Sequence, residues 1–279
     1  MNDINQRDPS LTSKMAMLSK LALGRPSEAA QRIANIIEGY LDALRNDEPS
    51  YQAVTLDECL DVVSQHLQRP VAPFLDTEPI RHLEGAIEQG IGRLKQNGPF
   101  RLTHMATRSL GRLCYVVCRA LRPEMVVETG TAYGVTSAYI LQAIADNRRG
   151  RLISIDLPPL GNDADRYVGI LVPDALRQYW KLVRGTSRQH LDSILRSVGS
   201  VDMFVHDSLH TRRTMMAEFM TIGRFIRQPG VIVADDIHEN AAFATFVARS
   251  RPSYSAAILQ NKQKRMTGLA LFAGPRGNQ

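Results

Sequence analysis

Apolar and polar residues follow two different patterns along this chain, and the change between them falls near Pro123. Before Pro123, apolar residues recur at the three- and four-residue spacing of helices, and loops containing proline separate the helical segments. After Pro123, short apolar runs alternate with helical segments. This alternation predicts parallel strands joined by right-handed crossovers, in a sheet with helices on both faces.

Seven short apolar runs predict the strands of this sheet. They are MVVET (125–129), LISID (152–156), WKLVRG (180–185), VDMFVHD (201–207), GVIVADD (230–236), SAAILQ (255–260) and MTGLALF (266–272). The last two runs stand too close for a crossover, so they predict an antiparallel hairpin whose turn, Lys262–Arg265, lies in solvent. The expected fold is α/β: a Rossmann-like, doubly wound, seven-stranded, mostly parallel sheet with a C-terminal antiparallel hairpin.

The helical pattern that precedes the sheet predicts a second region. Residues 1–102 are expected to form an N-terminal helical region, and residues 103–279 the sheet domain. Thr55 and Glu58 have the spacing of a capping box, in which the two side chains satisfy free N–H groups at a helix start. The N-terminal helices are predicted to form a lid over a pocket or the interface of a homodimer, and the sequence leaves both open.

Charge divides the chain into an acidic part and a basic part. Residues 1–90 hold 8 Lys and Arg against 14 Asp and Glu, whereas residues 91–279 hold 26 against 14. A basic surface can attract nucleic acid, but here the arginines are scattered and no ladder of aromatic and basic residues accompanies them. We therefore expect the basic part to pair with the acidic part, in the same chain or in a second copy, and not with nucleic acid.

Composition narrows the class of protein further. The hydrophobic share of 44% and the charged share of 22% are ordinary for a globular chain. No apolar run approaches the ~20 residues that cross a bilayer, so no membrane partner is expected. The polar N-terminus does not resemble a secretory signal. Three cysteines without a Cys-x-x-Cys motif favour a reducing, cytoplasmic location.

The turn after the first predicted strand is a candidate ligand site, because ligands of open parallel sheets bind beyond the carboxyl ends of strands. This turn reads ETGTAYG (128–134). Its two glycines permit a tight turn and a close approach of the backbone to a ligand. The helix that follows directs its N–H groups toward the same place. The spacing is wider than the Gly-x-Gly-x-x-Gly of dinucleotide sites, and the alternative is an ordinary β–α turn.

The ends of the next two strands add polar groups at the same edge. Asp156 ends the second strand, and a carboxylate there can accept both ribose hydroxyls of a nucleoside; its alternative role is in a turn or a helix cap. Thr186 and Ser187 follow the third strand. They can meet an adenine edge, cap the next helix, or do both.

Three carboxylates follow the fourth and fifth strands: Asp207, Asp235 and Asp236. Neighbouring carboxylates repel one another unless a cation or a proton lies among them. Ligands that are all oxygen suit Mg²⁺, Mn²⁺ or Ca²⁺ rather than zinc. The alternative without a metal gives Asp207 a hydrogen-bonding role and makes Asp236 a helix cap.

Four segments together resemble the class I S-adenosylmethionine-dependent methyltransferases: VVETGTAYGVTSAYI, LISIDLPP, MFVHDSLHT and PGVIVADDI. The resemblance spans residues about 104–279 and is closest to the metal-dependent small-molecule O-methyltransferases. It implies S-adenosylmethionine as cofactor and Mg²⁺ or another divalent cation. The cofactor residues that it implies are Glu128, Gly130, Thr131, Tyr133, Gly134, Asp156, Thr186, Ser187 and Asp207. The metal ligands that it implies are Asp207, Asp235 and Asp236.

The reaction implied by the resemblance is methyl transfer to a hydroxyl of a small molecule such as a sugar, a phenol or another natural product. His210 and Asp207 are the expected catalytic residues, with His210 as the base. The catechol-methylating families often have Lys where this chain has His210 and usually have Asn where it has Asp236, and these departures point away from a catechol. His238 is a second candidate base. The alternatives are a nicotinamide-dependent oxidoreductase, an RNA-modifying protein and a catalytically silent scaffold.

Overall fold

A computed structural model describes residues 11–45, 49–94, 106–161, 163–260 and 265–273. Its strands are β1 (Ala53–Val54), β2 (Met125–Thr129), β3 (Arg151–Asp156), β4 (Trp180–Arg184), β5 (Val201–His206), β6 (Ile226–Ala234), β7 (Tyr254–Leu259) and β8 (Met266–Phe272). They form one sheet in the order β1-β7-β8-β6-β5-β2-β3-β4. Only β8 runs antiparallel to its neighbours, β6 and β7, in this sheet. The predicted doubly wound sheet and its C-terminal hairpin are confirmed.

Helices flank both faces of the sheet. They are α1 (Leu11–Gly24), α2 (Pro26–Ala43), α3 (Leu56–His66), α4 (Glu78–Leu94), α5 (Arg108–Leu121), α6 (Val135–Asn147), α7 (Ser187–Val198), α8 (Arg212–Ile222) and α9 (Ala242–Ser250). Apolar residues of α3 to α6 form one buried core, and those of α7 to α9 form a second. The capping box predicted at Thr55 and Glu58 is present at the start of α3.

The sheet has eight strands where the sequence predicted seven. The additional strand, β1, has two residues, and Ala53 and Val54 pair in parallel with Ala257 and Ile258 of β7. A run of two residues is too short to show the alternation of apolar and polar positions that identifies a strand. Only the neighbouring edge of β7 makes this segment a strand.

The segment between the fourth and fifth apolar runs predicts a helix over residues 211–226, and in the structure this helix is shorter. It ends at Ile222, and β6 begins at Ile226, four residues before the predicted strand. Ile226 pairs with Val201 of β5, and the register shifts before the pairing resumes at Met203. Residues 223–225 form a turn, and pairing with the preceding strand takes Ile226 out of the helix, a tertiary effect that helical periodicity does not register.

The N-terminal helix α2 is held across the carboxyl edge of the sheet by charge. Glu28 contacts Arg184 at 2.7 Å, and Glu38 contacts Arg188 at 2.9 Å. The Asp42 carboxylate accepts a hydrogen bond from the backbone N–H of Arg212 at 2.6 Å. The acidic part of the chain thus pairs with the basic part within one chain, as the division of charge led us to expect.

The division into residues 1–102 and 103–279 stays a prediction, because residues 95–105 lie outside the described part of the chain. The two predicted regions are closely packed. Strand β1 extends the sheet, and α3 and α4 contribute to the same core as α5 and α6.

Candidate functional site

A cavity of about 1000 Å³ opens at the carboxyl edge of the sheet. It lies next to β2, where the strand order changes direction: β3 and β4 follow on one side of β2, and β5 and β6 on the other. Ligands of doubly wound sheets usually bind at this point. The predicted site residues that line it are Gly130, Thr131, Asp156, Thr186, Ser187, Asp207, His210 and Asp236. The common edge of the parallel strands brings these residues together from five separate segments of the chain.

Gly130 allows the first turn to touch the end of β5. Its φ of +85° lies in the left-handed region, and an added Cβ would stand 1.8 Å from the backbone oxygen of Asp207. The N–H of Asp207 in turn donates to the oxygen of Thr129 at 2.8 Å. At the floor of the cavity, the backbone of Gly130 therefore packs directly against the backbone of Asp207, and only glycine leaves room for this contact.

Replacing Gly130 by alanine is expected to lower the free energy of unfolding by about 2–4 kcal/mol, from the left-handed φ together with the clash. Gly199 is the matched control, because its φ is +78° and nothing lies within 4 Å of an added Cβ. The control should lose about 1–2 kcal/mol. Chemical denaturation of the two variants measures both values, and equal losses would contradict the close contact at Gly130.

Asp156 lies at the opposite side of the first turn. Its Oδ2 accepts hydrogen bonds from the backbone N–H groups of Thr131 at 3.0 Å and Ala132 at 2.7 Å. Among the described residues Oδ1 has no partner, so it is available to a ligand in the cavity. Burial raises the pKa of this carboxyl, and the two N–H groups oppose the rise. The carboxylate thus holds the turn through Oδ2 and keeps Oδ1 as an acceptor for the hydroxyls of a ribose.

Three of the predicted cofactor residues lie beneath the first turn and not at the cavity. Glu128 is fully buried, and its Oε2 accepts hydrogen bonds from the Ser137 and Ser154 hydroxyls, each at 2.6 Å. Burial raises its pKa to about 8. Tyr133 packs in the core, and Gly134, with a φ of +89°, is the N-cap residue of α6. Gly134 also closes the turn, because its N–H donates to the oxygen of Thr131 at 2.7 Å.

Thr186 combines the two roles that the sequence left open. It lines the cavity and also caps α7, where its hydroxyl and the side chain of Gln189 form a capping box. Its hydroxyl contacts Gln31 of α2 at 3.1 Å. Ser187 is the first residue of α7 and lines the cavity beside it.

At the other end of the cavity, His210 lies between two carboxylates. Its Nδ1 is 3.1 Å from Asp236 Oδ2, a hydrogen-bond distance, and its Nε2 is 3.7 Å from Asp207 Oδ1, which is too long for one. Nε2 has no hydrogen-bond partner among the described residues. Asp236 therefore accepts the proton of Nδ1 and leaves Nε2 as the basic nitrogen.

The charges in this cluster are strongly coupled. Burial lowers the pKa of His210, but Asp207 and Asp236 outweigh it and hold the pKa well above the ordinary value of 6.5. Burial raises the pKa of Asp207 to about 7. Burial also acts to raise the pKa of Asp236, yet its hydrogen bonds with His210 and Arg265 hold it below its ordinary value. His210 and Asp207 therefore titrate as a coupled pair, while Asp236 is ionised near neutral pH.

Asp235, the third predicted metal ligand, does not reach the cavity. It is 1% exposed, and its Oδ1 accepts hydrogen bonds from Gln260 and Thr267. Its Oδ2 lies 3.6 Å from the guanidinium of Arg265. Asp235 therefore binds to residues of the C-terminal hairpin. The three predicted ligands, Asp207, Asp235 and Asp236, do not direct unpaired oxygens at one common point.

Asp236 is already paired with a protein cation. Arg265 contacts both of its carboxylate oxygens, from Nε at 2.8 Å and from the terminal nitrogen at 2.6 Å. Among the described residues, one group has ligand atoms close enough to share an ion, His210, Asp236 and Glu239, within 4.8 Å of one another. Two of its three members are engaged in these contacts, so the residues present do not fit the oxygen-rich octahedron of Mg²⁺.

Two parts of the cavity wall were not predicted as site residues. Arg32 and Asn35 of α2 line the cavity, and Arg32 donates to the backbone oxygen of Pro158 at 2.7 Å. A stripe of polar residues at helical spacing on α2 is the sequence signal that could have indicated this. Arg265 also lines the cavity. The sequence placed it in a solvated turn, and no pattern of residues around it indicated a site.

Comparisons with known proteins agree with this geometry. Residues 127–237 match a family described as a methyltransferase domain. The cofactor-bound protein Rv0187 from MTB shares 16% identity and superposes with a TM-score of 0.51, over 80% of this chain and 100% of its own. A candidate O-methyltransferase from Klebsiella pneumoniae shares 12% identity with a TM-score of 0.51, over 78% and 97%. The SAH-bound methyltransferase PaMTH1 from Podospora anserina shares 13% with a TM-score of 0.50, over 80% and 99%.

No curated protein matches the chain in sequence. The solved structures are too distant in sequence to show more than the fold, which they share over nearly their whole length. The domain match spans the first turn, Asp156 and the cavity residues up to Ile237, so it covers the part of the chain that forms the candidate site. Together, these findings show that the chain has the fold of these solved structures and that residues 127–237 are similar to a methyltransferase domain.

Proposed function

We propose that this chain transfers the methyl group of S-adenosylmethionine to a hydroxyl group of a polar, non-aromatic small molecule, such as a sugar or another polyhydroxylated compound. The observation that carries the proposal is the division of one cavity into two ends. One end has the backbone and carboxylate acceptors of a nucleoside site. The other end has a histidine ring that lies between two carboxylates, with Nδ1 beside Asp236 and Nε2 beside Asp207.

The nucleoside end fits S-adenosylmethionine through the chemistry of its residues. Asp156 Oδ1 is available for the ribose hydroxyls. The hydroxyl of Thr131 is buried without a hydrogen-bond partner among the described residues, as expected for a group that a ligand satisfies. Gly130 and Gly185 line the same end and bring backbone close to the ligand. When bound, the cofactor supplies a methyl group already activated by its positive sulfur.

The acceptor end favours a polar substrate. Its lining side chains are charged or polar around Asp207, His210, Asp236, His238 and Glu239. Across the whole cavity, no Phe, Tyr or Trp lines the wall in the part of the chain that the structure describes. A flat phenol gains affinity from aromatic and apolar walls, whereas several hydroxyls can be satisfied by these charged groups. The lining therefore supports a polyhydroxylated acceptor over a phenol.

His210 is the proposed general base. Its Nε2 accepts the proton of the acceptor hydroxyl, and its Nδ1–H remains on Asp236, which compensates the developing imidazolium charge. The walls of the cavity align the hydroxyl oxygen with the methyl group. The divalent cation implied by the resemblance is not part of this proposal, because the three predicted ligands do not converge.

The proposal is tested in two stages on the purified chain. Isothermal titration with S-adenosylhomocysteine is expected to show saturable binding. Release of S-adenosylhomocysteine from S-adenosylmethionine is then measured against a panel of sugars and cyclitols, with catechols as the comparison. Turnover of a polyhydroxylated compound without turnover of catechols supports the proposal. Absence of cofactor binding, or turnover of catechols alone, contradicts it.

We also propose that the chain forms a homodimer through the outer face of α2. The inner face of this helix covers the cavity, whereas its outer face exposes a row of large apolar residues at helical spacing. These are Ile33, Ile36, Ile37, Tyr40, Leu41 and Leu44, each between 46% and 67% exposed. An isologous contact between two such faces would bury both rows.

Replacing Ile37 and Leu41 by glutamate is expected to convert a dimer into a monomer, because two charges would enter an apolar interface. Size-exclusion chromatography with light scattering measures the mass. The control is Met220→Glu on α8, a residue exposed to 46% outside this face, which should leave the mass unchanged. A wild-type chain that is monomeric at high concentration would contradict the proposal.

A cytoplasmic location is likewise proposed. The three cysteines, Cys59, Cys114 and Cys118, are buried and free, which agrees with a reducing environment. None of the described helices is both long enough and apolar enough to span a bilayer.

A further inference from the structure

We propose that Arg265 takes the place that a divalent cation would occupy in the acid cluster, and that it positions Asp236 and, through it, His210, so that this chain needs no metal ion. Arg265 is a positioning residue in this proposal, since it acts on the base through Asp236. The inference rests on the proposed methyl transfer for its catalytic meaning, but its physical content, exclusion of a cation by a guanidinium, can be measured without turnover.

The first observation is the geometry of the pair. The guanidinium meets both oxygens of Asp236, from Nε at 2.8 Å and from the terminal nitrogen at 2.6 Å. Two parallel, charge-assisted hydrogen bonds of this kind are among the strongest and most directional contacts between side chains. The same terminal nitrogen is 3.6 Å from Asp235 Oδ2. One guanidinium therefore bridges the two consecutive acids.

The second observation is the charge of the cluster. Asp207, Asp235 and Asp236 would carry three negative charges if all were ionised, and burial makes such a cluster costly without cations. Arg265 supplies one fixed positive charge, and His210 adds a second when it is protonated; the Arg265 side chain is only 23% exposed. The pKa of Arg265 is raised by its hydrogen bond with Asp236 and by the charges of all three acids. The positive charge that a divalent cation would supply to the three acids is thus already present in the protein.

The third observation is what the pair does to the base. Asp236 Oδ2 accepts from Arg265 and also lies 3.1 Å from His210 Nδ1. A carboxylate held by two hydrogen bonds cannot rotate freely, so it fixes both the tautomer and the direction of the imidazole. His210 Nε2, which is buried and has no hydrogen-bond partner among the described residues, is then the ring nitrogen that can accept a proton. Removing Arg265 should free Asp236 and disorder this alignment.

The experiment compares Mn²⁺ binding by wild-type chain, R265A and R265K, each saturated with S-adenosylhomocysteine, using the electron paramagnetic resonance signal of free Mn²⁺. Wild-type chain is expected to show no saturable site. R265A is expected to gain a saturable Mn²⁺ site, with affinity at least about tenfold above any weak binding by wild type, since a unit positive charge is removed from beside three carboxylates. R265K keeps the charge and should again exclude the ion. R265A with D236N should lose the gained site.

The matched control is Arg249→Ala, an exposed arginine on α9 outside the cavity, which should bind no Mn²⁺. Circular dichroism verifies folding, and R265M, which keeps the aliphatic stem, replaces R265A if that variant does not fold. Saturable Mn²⁺ binding by wild-type chain that D236N abolishes would overturn the proposal, and so would a folded R265A without a gained site. Failure of wild-type chain to bind S-adenosylhomocysteine would contradict the proposed function instead, and the Mn²⁺ titrations would then be compared without it.

Discussion

Replacing Asp156 by alanine is expected to weaken binding of S-adenosylhomocysteine by about 100-fold. The carboxylate has two tasks in the structure. Its Oδ2 holds the N–H groups of Thr131 and Ala132, and its Oδ1 remains available in the cavity. The substitution removes the acceptor for the ribose hydroxyls and leaves the first turn without its internal partner. Hydrogen bonds to a charged group are each worth about 1.5–3 kcal/mol, so the loss is large.

Isothermal titration of the D156A variant measures this loss. The matched control is Asp174→Ala, because Asp174 is fully exposed and, within the part of the chain that the structure describes, its carboxylate contacts only Arg177, away from the cavity. The control should bind with wild-type affinity. Wild-type affinity in D156A, with the fold intact by circular dichroism, would place the nucleoside elsewhere and remove the basis for orienting the cofactor along this edge.

Replacing His210 by alanine is expected to lower turnover by about 10²–10⁴-fold, the usual contribution of a general base, and to leave the affinity for S-adenosylhomocysteine unchanged. His238 is the matched control, since it lines the same cavity but is only loosely held. Its Nδ1 lies 3.9 Å from Asp236 Oδ1 and accepts the Met266 N–H at 3.4 Å. A larger loss in H238A than in H210A would transfer the role of base to His238.

The same base predicts the direction of the pH dependence. A base acts in its unprotonated form, so kcat/KM should rise with pH as His210 loses its proton. Because the neighbouring carboxylates raise its pKa, the rise should be centred above 6.5. In D207N one of these carboxylates is neutral, and the midpoint should move to lower pH by about 1 unit. A midpoint that is unchanged or moves upward in D207N would show that another group limits the rate.

Much of the fold could be predicted because its signals are local. The apolar runs, the capping box at Thr55 and the separation of the last two strands each depend on residues within one turn or strand. The two-residue β1 and the early start of β6 at Ile226 could not be predicted, because both exist only through pairing with a neighbouring strand.

The candidate site could be predicted to a lesser extent. Asp156, Asp207 and His210 follow strands, and parallel strands end at one edge, so their meeting was a consequence of topology. The topology does not determine the direction in which each side chain points at that edge. Glu128 turns into the sheet, where two serine hydroxyls stabilise it. Asp235 turns toward the hairpin, where Gln260 and Thr267 donate to it.

Taken alone, the order of residues was enough to establish the α/β class, the terminal hairpin and the strand ends at which chemistry would occur, because periodicity and turn residues are properties of short segments. The tertiary structure determined which arginine side chains pair with which carboxylates. Arg265 reaches Asp236 across 29 positions, and Arg184 reaches Glu28 across 156. Ion pairs of this kind depend on the packing of elements distant in the chain, and no local pattern of residues encodes their partners.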